Sequence, residues 1–215
     1  NMPSIPKEKL AQVEPFFALA EKLGKFLIQV TEESIQQLNI SYAGEVANFD
    51  VRPLTANAIK GLLSTNHGSH VNDVNARYLA ERIGMQINEH KTTTAKGFTN
   101  LITVEIITET EKHTAAGTLL NGLGARIVKV EGFVVDVIPN GNLLYIKNQD
   151  KPGSIGRVAT KLAEKEINIA TMQVGRDQVG GSAVMMLVVD NEVTTEDLIY
   201  VAQLENIDEV KAISL

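Results

Sequence analysis

The segment DKPGSIGR, residues 150–157, places a carboxylate, a Gly-rich turn and a hydroxyl directly before a helical pattern. Such turns can cradle phosphates, but a P-loop ends in Gly-Lys-Ser/Thr and this one does not. A dinucleotide fingerprint needs a third glycine beyond Gly153 and Gly156, so that reading fails as well. What remains is a turn into a helix starting at Ser154, whose free N–H groups favour an anion such as a carboxylate. Asp150 beside it can take an ammonium group, and Asn168, opening the next strand, can supply an amide. Together these acceptors describe an amino-acid site. The alternative is that Asp150 and Ser154 only shape the turn and cap the helix, and on spacing alone that is the ordinary reading.

A second stretch, GTLLNGLGARIVKVEG, brings Gly117, Asn121, Gly122 and Gly124 close to Arg126. A glycine-lined turn with one Arg can hold a phosphate or carboxylate, or can be a β-turn with a solvated Arg. The histidines offer less. His67 and His70 in NHGSHVN are close enough to share a metal, but no third ligand is evident. Glu105 and Glu109 lie on a strand-like run and read as solvent-facing rather than as an acid–base pair. No catalytic group and no metal centre is expected.

The elements that position these residues follow from periodicity. Residues 7–31 repeat apolar positions at three and four, giving a helix that Pro15 kinks or splits. Leu38, Ile40 and Tyr42 alternate as a strand. Residues 54–65 read as a helix capped by Thr55, and residues 70–84 as another, closed by Gly84. Strands are expected over 85–91, 100–110, 111–120 and 126–139, the last broken by a Glu-Gly turn. PNGN, residues 139–142, is the strongest break and divides residues 32–140 from 141–215. Beyond it the order is βαββαβ, with the second helix capped by Thr194 or Thr195. That order predicts a ferredoxin-like α+β sandwich, a fold that by itself fixes no activity.

With 215 residues there is room for two small domains, each with its own core. The absence of Cys removes disulfides, thiolate zinc sites, Cys nucleophiles and Cys-ligated iron–sulfur clusters, and fits a cytoplasmic chain. A net charge of −6 without a Lys/Arg cluster argues against nucleic acid. No apolar run reaches membrane-spanning length. Asn1 stands before Met2 and the helical pattern follows almost at once, so the chain is expected to be a fragment or to have a displaced start.

The stretch KNQDKPGSIGRVATKLAEKEINIATMQVGR resembles an ACT domain, a small amino-acid-sensing module. With VNDVNARYLAERIGMQINE and GTLLNGLGARIVKVEGFVVDVIPNGNLLYIKNQDKPG before it, the whole chain resembles the allosteric substrate-binding (intervening) domain plus ACT domain of long-form D-3-phosphoglycerate dehydrogenases. Residues 1–31 then resemble the segment leaving the substrate-binding domain. The resemblance implies a part of an NAD-dependent oxidoreductase that oxidises 3-phosphoglycerate in the first committed step of L-serine synthesis. That family's NAD fingerprint and catalytic Arg, Glu and His are not found in these residues, so the resemblance is to the regulatory part. It implies L-serine bound between two subunits of a homodimer or tetramer, with Asn148, Asp150 and Asn168 matching the ligand contacts and Pro152 and Gly153 the turn. Arg126 matches a basic position implicated in anion binding, while Ile138 replaces a second one. PNGN and the region of Gly24 are the candidate hinges. Two other families fit more loosely: the β subunit of an iron–sulfur L-serine dehydratase, whose Ser-His-Thr signature is missing, and a stand-alone ACT amino-acid sensor.

Overall fold

The computed structural model describes residues 7–67 and 70–215, with side chains described for 13–64 and from 70 onward. The chain divides into two compact units, Asn1–Glu131 and Gly132–Leu215.

The first unit packs helices on one face of a sheet. Helix α1 (Lys7–Val30) runs unbroken through Pro15, against the expected kink or split. Strand β1 (Gln37–Gly44) leads through α2 (Arg52–His67) and α3 (Ala76–Arg82) to β2 (Gln86–Thr92). That helical crossover makes β1 and β2 parallel. Strands β3 (Asn100–Ile107), β4 (Lys112–Leu120) and β5 (Gly124–Val130) follow as an antiparallel meander, giving the order β2-β1-β3-β4-β5. The period-2 alternation holds: Leu38, Ile40 and Tyr42 of β1 and Ile102, Val104 and Ile106 of β3 are all buried. The opposite face carries a polar ladder, in which Asn39 Nδ2 donates to Glu105 at 2.8 Å and Lys112 sits 3.0 Å from the same carboxylate. Burial would raise the Glu105 pKa, but the bonds from Asn39 and Lys112 outweigh it and hold the carboxyl low. Glu105 is therefore a cross-strand tie, and Glu109 is exposed in the turn beyond β3.

Three local expectations are corrected. Thr55 does not cap α2: the helix starts at Arg52, whose N–H donates to Asp50, and Thr55 is buried within it, 2.8 Å from the Tyr42 hydroxyl. The helix expected over 70–84 is only Ala76–Arg82. Ahead of it Asn72 and Asn75 accept each other's backbone N–H groups and hold residues 72–75 as a turn. Gly24 has a packing role rather than a hinge role. A Cβ there would run into the carbonyl oxygen of Ala58, and one on Gly61 into that of Glu21, so α1 and α2 cross backbone to backbone.

The second unit begins with β6 (Phe133–Val137) and continues β7 (Asn142–Gln149), α4 (Ser154–Glu164), β8 (Ile169–Arg176), β9 (Ser182–Val189), α5 (Thr195–Ala202) and β10 (Ile207–Ser214). The sheet order β10-β7-β9-β8 is the expected ferredoxin-like sandwich, with β8 at one edge. The central strands β7 and β9 are near-continuous apolar runs. Ile146 and Leu144 of β7, with Met185 and Leu187 of β9, meet Val158 and Leu162 of α4 and Val201 of α5 in one core. Thr194 is the cap of α5, forming a reciprocal capping box with Asp197. Gly141 of PNGN exchanges both backbone hydrogen bonds with Leu215, at 3.1 and 3.0 Å, which pins this turn to the end of β10. No helix among the described residues is long and apolar enough to cross a membrane.

Candidate functional site

Strand β7 delivers the chain into the turn 150–153 at one end of the second sheet. Gly153, at φ 89°, occupies the left-handed region as the residue before α4, a conformation that disfavours any side chain. Ser154 is buried and does not cap the helix; its hydroxyl lies 3.4 Å from the Gln149 carbonyl. Asp150 is already engaged. Its Oδ2 accepts from Arg176 Nη1 at 2.8 Å and from the Gly180 amide at 3.2 Å. The Arg176 guanidinium first, and the Gly180 N–H after it, hold this carboxyl below the usual carboxylate range. An ammonium group at Asp150 would join an existing ion pair rather than meet a bare carboxylate.

Beneath the turn lie Asn148 and Arg157. Asn148 is buried, and its Nδ2 donates to the Gln149 carbonyl at 2.9 Å. Arg157 projects from the first turn of α4 with Nη2 3.4 Å from Ser154 Oγ. Two buried atoms here have no partner among the described residues, Asn148 Oδ1 and Arg157 Nε. Leaving such a group unpaired costs about 1–3 kcal/mol. Arg157 was missed in the sequence, although its place three residues after Ser154, on one helix face, was a usable signal.

Asn168 lies elsewhere. Both β7 and β8 pair antiparallel with β9, so they run parallel to each other. Asn148 and Arg176 each face Ala183, whereas Asn142 and Ile169 each face Val189. Asn168 therefore sits at the opposite end of the sheet from Asn148 and Asp150, roughly 20 Å away at ~3.3 Å per residue. Its Nδ2 donates to Asp190 at 2.7 Å. One copy of the chain does not bring the predicted contacts together.

The Arg126 turn is a tight β4–β5 connection. Gly122 and Gly124 take positive φ, and Asn121 is exposed beside them. Arg126 Nη1 donates to the carbonyls of Leu123 at 2.6 Å and Ala125 at 2.9 Å, so an anion here would compete with the turn's own backbone. Gly117 serves packing, since a Cβ would come within 2.6 Å of Leu19 Cδ1. Ile138, in the second unit, is exposed.

Comparison with known proteins decides the family. Residues 12–131 match the D-3-phosphoglycerate dehydrogenase intervening domain, and residues 142–199 match the ACT domain. The chain belongs to the D-3-phosphoglycerate dehydrogenase family. It is 36% identical over its whole length to D-3-phosphoglycerate dehydrogenase of Bacillus subtilis, of which it covers 40%. The Methanocaldococcus jannaschii enzyme is 37% identical, again over the whole chain and 41% of the relative. That of Synechocystis is 33% identical over 89% of the chain and 35% of the relative. The chain thus spans about two fifths of the length of these curated relatives.

Within the intervening-domain match sits a titratable cluster that sequence reading passed over. His113 of β4 is buried, with Nδ1 3.1 Å from Glu131 and Nε2 3.1 Å from Glu111. Glu111 also accepts from Thr31 at 2.9 Å, at the end of α1. The Glu131 carboxylate first, then Glu111, raise the His113 pKa against the opposing effect of burial. The His113 bond and the Thr31 hydroxyl lower that of Glu111. Glu33, which also feels His113, is held low chiefly by the Thr108 and Thr110 hydroxyls. His70 is exposed, and the side chain of His67 lies outside the described residues. Among the described residues no group of His, Asp and Glu is arranged to hold a metal.

Proposed function

We propose that this chain is the regulatory part of an NAD-dependent D-3-phosphoglycerate dehydrogenase, the enzyme that opens L-serine biosynthesis. Its ACT domain, residues 141–215, binds L-serine between two copies, and follows the intervening domain matched over residues 12–131. Hydride transfer to NAD belongs to the whole enzyme, and these residues control it. One observation carries the reading. The turn with Asn148, Asp150, Pro152, Gly153 and Ser154 and the distant Asn168 occupy opposite ends of parallel strands, and β8 is a sheet edge. Antiparallel pairing of two β8 edges about a two-fold axis brings Asn168 of one copy to the turn of the other and extends the sheet to eight strands. It also covers an edge that would otherwise template aggregation. Serine bound across that seam biases whichever arrangement of subunits it fits better, and control is that difference in affinity.

Calorimetric titration with L-serine tests this. Wild type should bind saturably, and Asn148→Ala and Asn168→Ala should each lose binding. Mixing the two variants through unfolding and refolding should restore about a quarter of the sites, because about half of the dimers are heterodimers and each keeps one of its two sites intact. Absence of heat at millimolar serine refutes the ligand, and absence of recovery on mixing refutes the shared site.

A further inference from the structure

We propose that Arg157 is the carboxylate acceptor of the amino-acid site and makes it selective for a free α-carboxylate; this deepens the ligand reading above and rests on it. Several observations converge on the residue. Its Nε is buried and unpartnered among the described residues, where the guanidinium's one hydrogen bond is the long 3.4 Å approach of Nη2 to Ser154 Oγ. No carboxylate pairs with it among the described residues, whereas neighbouring cations are committed. Lys161 is 2.8 Å from Glu164, and Arg176 is 2.8 Å from Asp150. Arg157 is half-buried, but a shielded N–H such as its Nε is costly to leave without an acceptor, and a bound anion would supply one.

The surroundings suit a small monoanion. Arg157, Gly153, Gly156, Thr160 and Leu204 line a cleft of about 420 Å³ together with Lys161 and Glu164, which pair with each other at 2.8 Å and leave Arg157 as the net charge; the volume is within the size range of small-ligand pockets. Of the first four amides of α4, Ser154 N–H donates to the Lys151 carbonyl and Arg157 N–H to that of Gly153. Those of Ile155 and Gly156 have no backbone acceptor among the described residues and, as at any helix start, point outward. Gly156 presents open space, and a Cβ on Gly153 would stand 2.8 Å from Arg157 Nη1, so a side chain at 153 would crowd the guanidinium. A planar fork beside two outward amides matches a carboxylate, which can take two parallel N–H bonds from it. Asn148, whose Oδ1 is the other orphaned atom, shares the Gln149 carbonyl with Ser154, so one bonded chain links Asn148, Ser154 and Arg157. With the guanidinium on the carboxylate, Asn148 Oδ1 is left as an acceptor for the ammonium.

The test uses the full 215-residue chain. The Arg157 Nε–Hε resonance, assigned by its loss in Arg157→Lys, is followed on addition of L-serine and of L-serinamide, which lacks the carboxylate. It should move with L-serine and stay with the amide. By calorimetry, Arg157→Gln should weaken L-serine about ten- to a hundredfold, with Arg157→Lys in between. The preference for L-serine over L-serinamide should disappear in Arg157→Gln. Unchanged L-serine affinity in a folded Arg157→Gln overturns the proposal. If wild type binds no amino acid, the ligand reading fails separately and acetate decides Arg157. A saturable shift of its resonance upholds a carboxylate acceptor, and an unmoved resonance, with only water at the guanidinium, overturns it.

Discussion

The His113 cluster makes stability of the first unit depend on pH with a defined sign. Each imidazole nitrogen faces a carboxylate oxygen at 3.1 Å. Only the imidazolium has a donor on both nitrogens; the neutral ring turns a lone pair toward one carboxylate. The His113 pKa is raised on folding, so its contribution is fully present below the unfolded value near 6.5 and is lost as pH rises through the folded value. The Glu111 pKa is lowered, so its contribution is present above its unfolded value and lost as pH falls. The cluster therefore stabilises most between about pH 4.5 and 6.5. The Glu131 contact is shielded and the Glu111 contact about half exposed. Charge-assisted bonds contribute about 1.5–3 kcal/mol when shielded and less than about 1 when exposed, so roughly 2 kcal/mol is at stake. In a chain of this length that corresponds to a melting shift of about 4–8 °C. Thermal unfolding of wild type and His113→Gln at about pH 5.5 and about pH 8.5 measures it. The gap should be large at the lower pH and mostly closed at the higher. Equal gaps at both would refute the two-donor argument.

Two further outcomes follow from packing and from the turn. Gly24→Ala or Gly61→Ala should cost about 1–3 kcal/mol or more by overpacking the α1–α2 crossing, read as a lower urea midpoint. Gly84→Ala, with open space around it, is the control that carries backbone strain alone. Asp150→Ala should release Arg176 and the Gly180 amide together. Hydrogen exchange at Gly180 should accelerate without a measurable change in melting temperature, and an unchanged exchange rate would show that the ion pair does not hold the 177–181 loop.

Much of the architecture was legible because it rests on local periodicity. The alternation of Leu38, Ile40 and Tyr42 and the buried stripe Ser154, Val158, Leu162 gave strand and helix directly. The βαββαβ order then left few topologies. Errors fell where a tertiary or side-chain partner overrides the local signal. Thr55 has good capping chemistry, but its hydroxyl serves Tyr42 across the core. Asn72 and Asn75 withhold from α3 the residues that periodicity had assigned to it. At the candidate site, the turn and its glycines could be read, whereas the Arg176 partner of Asp150 lies 26 positions away. Nothing in the helical pattern singles out Arg157, and only burial of its Nε distinguishes it.

The paired glycines of α1 and α2 also constrain how this gene can change. Every single-base missense step from a glycine codon installs a residue with a Cβ, so each such step at codon 24 or codon 61 meets the same obstruction. The obstructing atoms are the main-chain oxygens of Ala58 and Glu21, which every amino acid carries. No substitution at those two facing positions can act as a suppressor. Relief would have to come from moving one helix bodily away from the other, which would undo packing along the crossing at residues such as Leu23, Leu27, Ile59 and Leu62. Substitution at either codon thus demands the same separation of α1 from α2, and the two positions share one constraint.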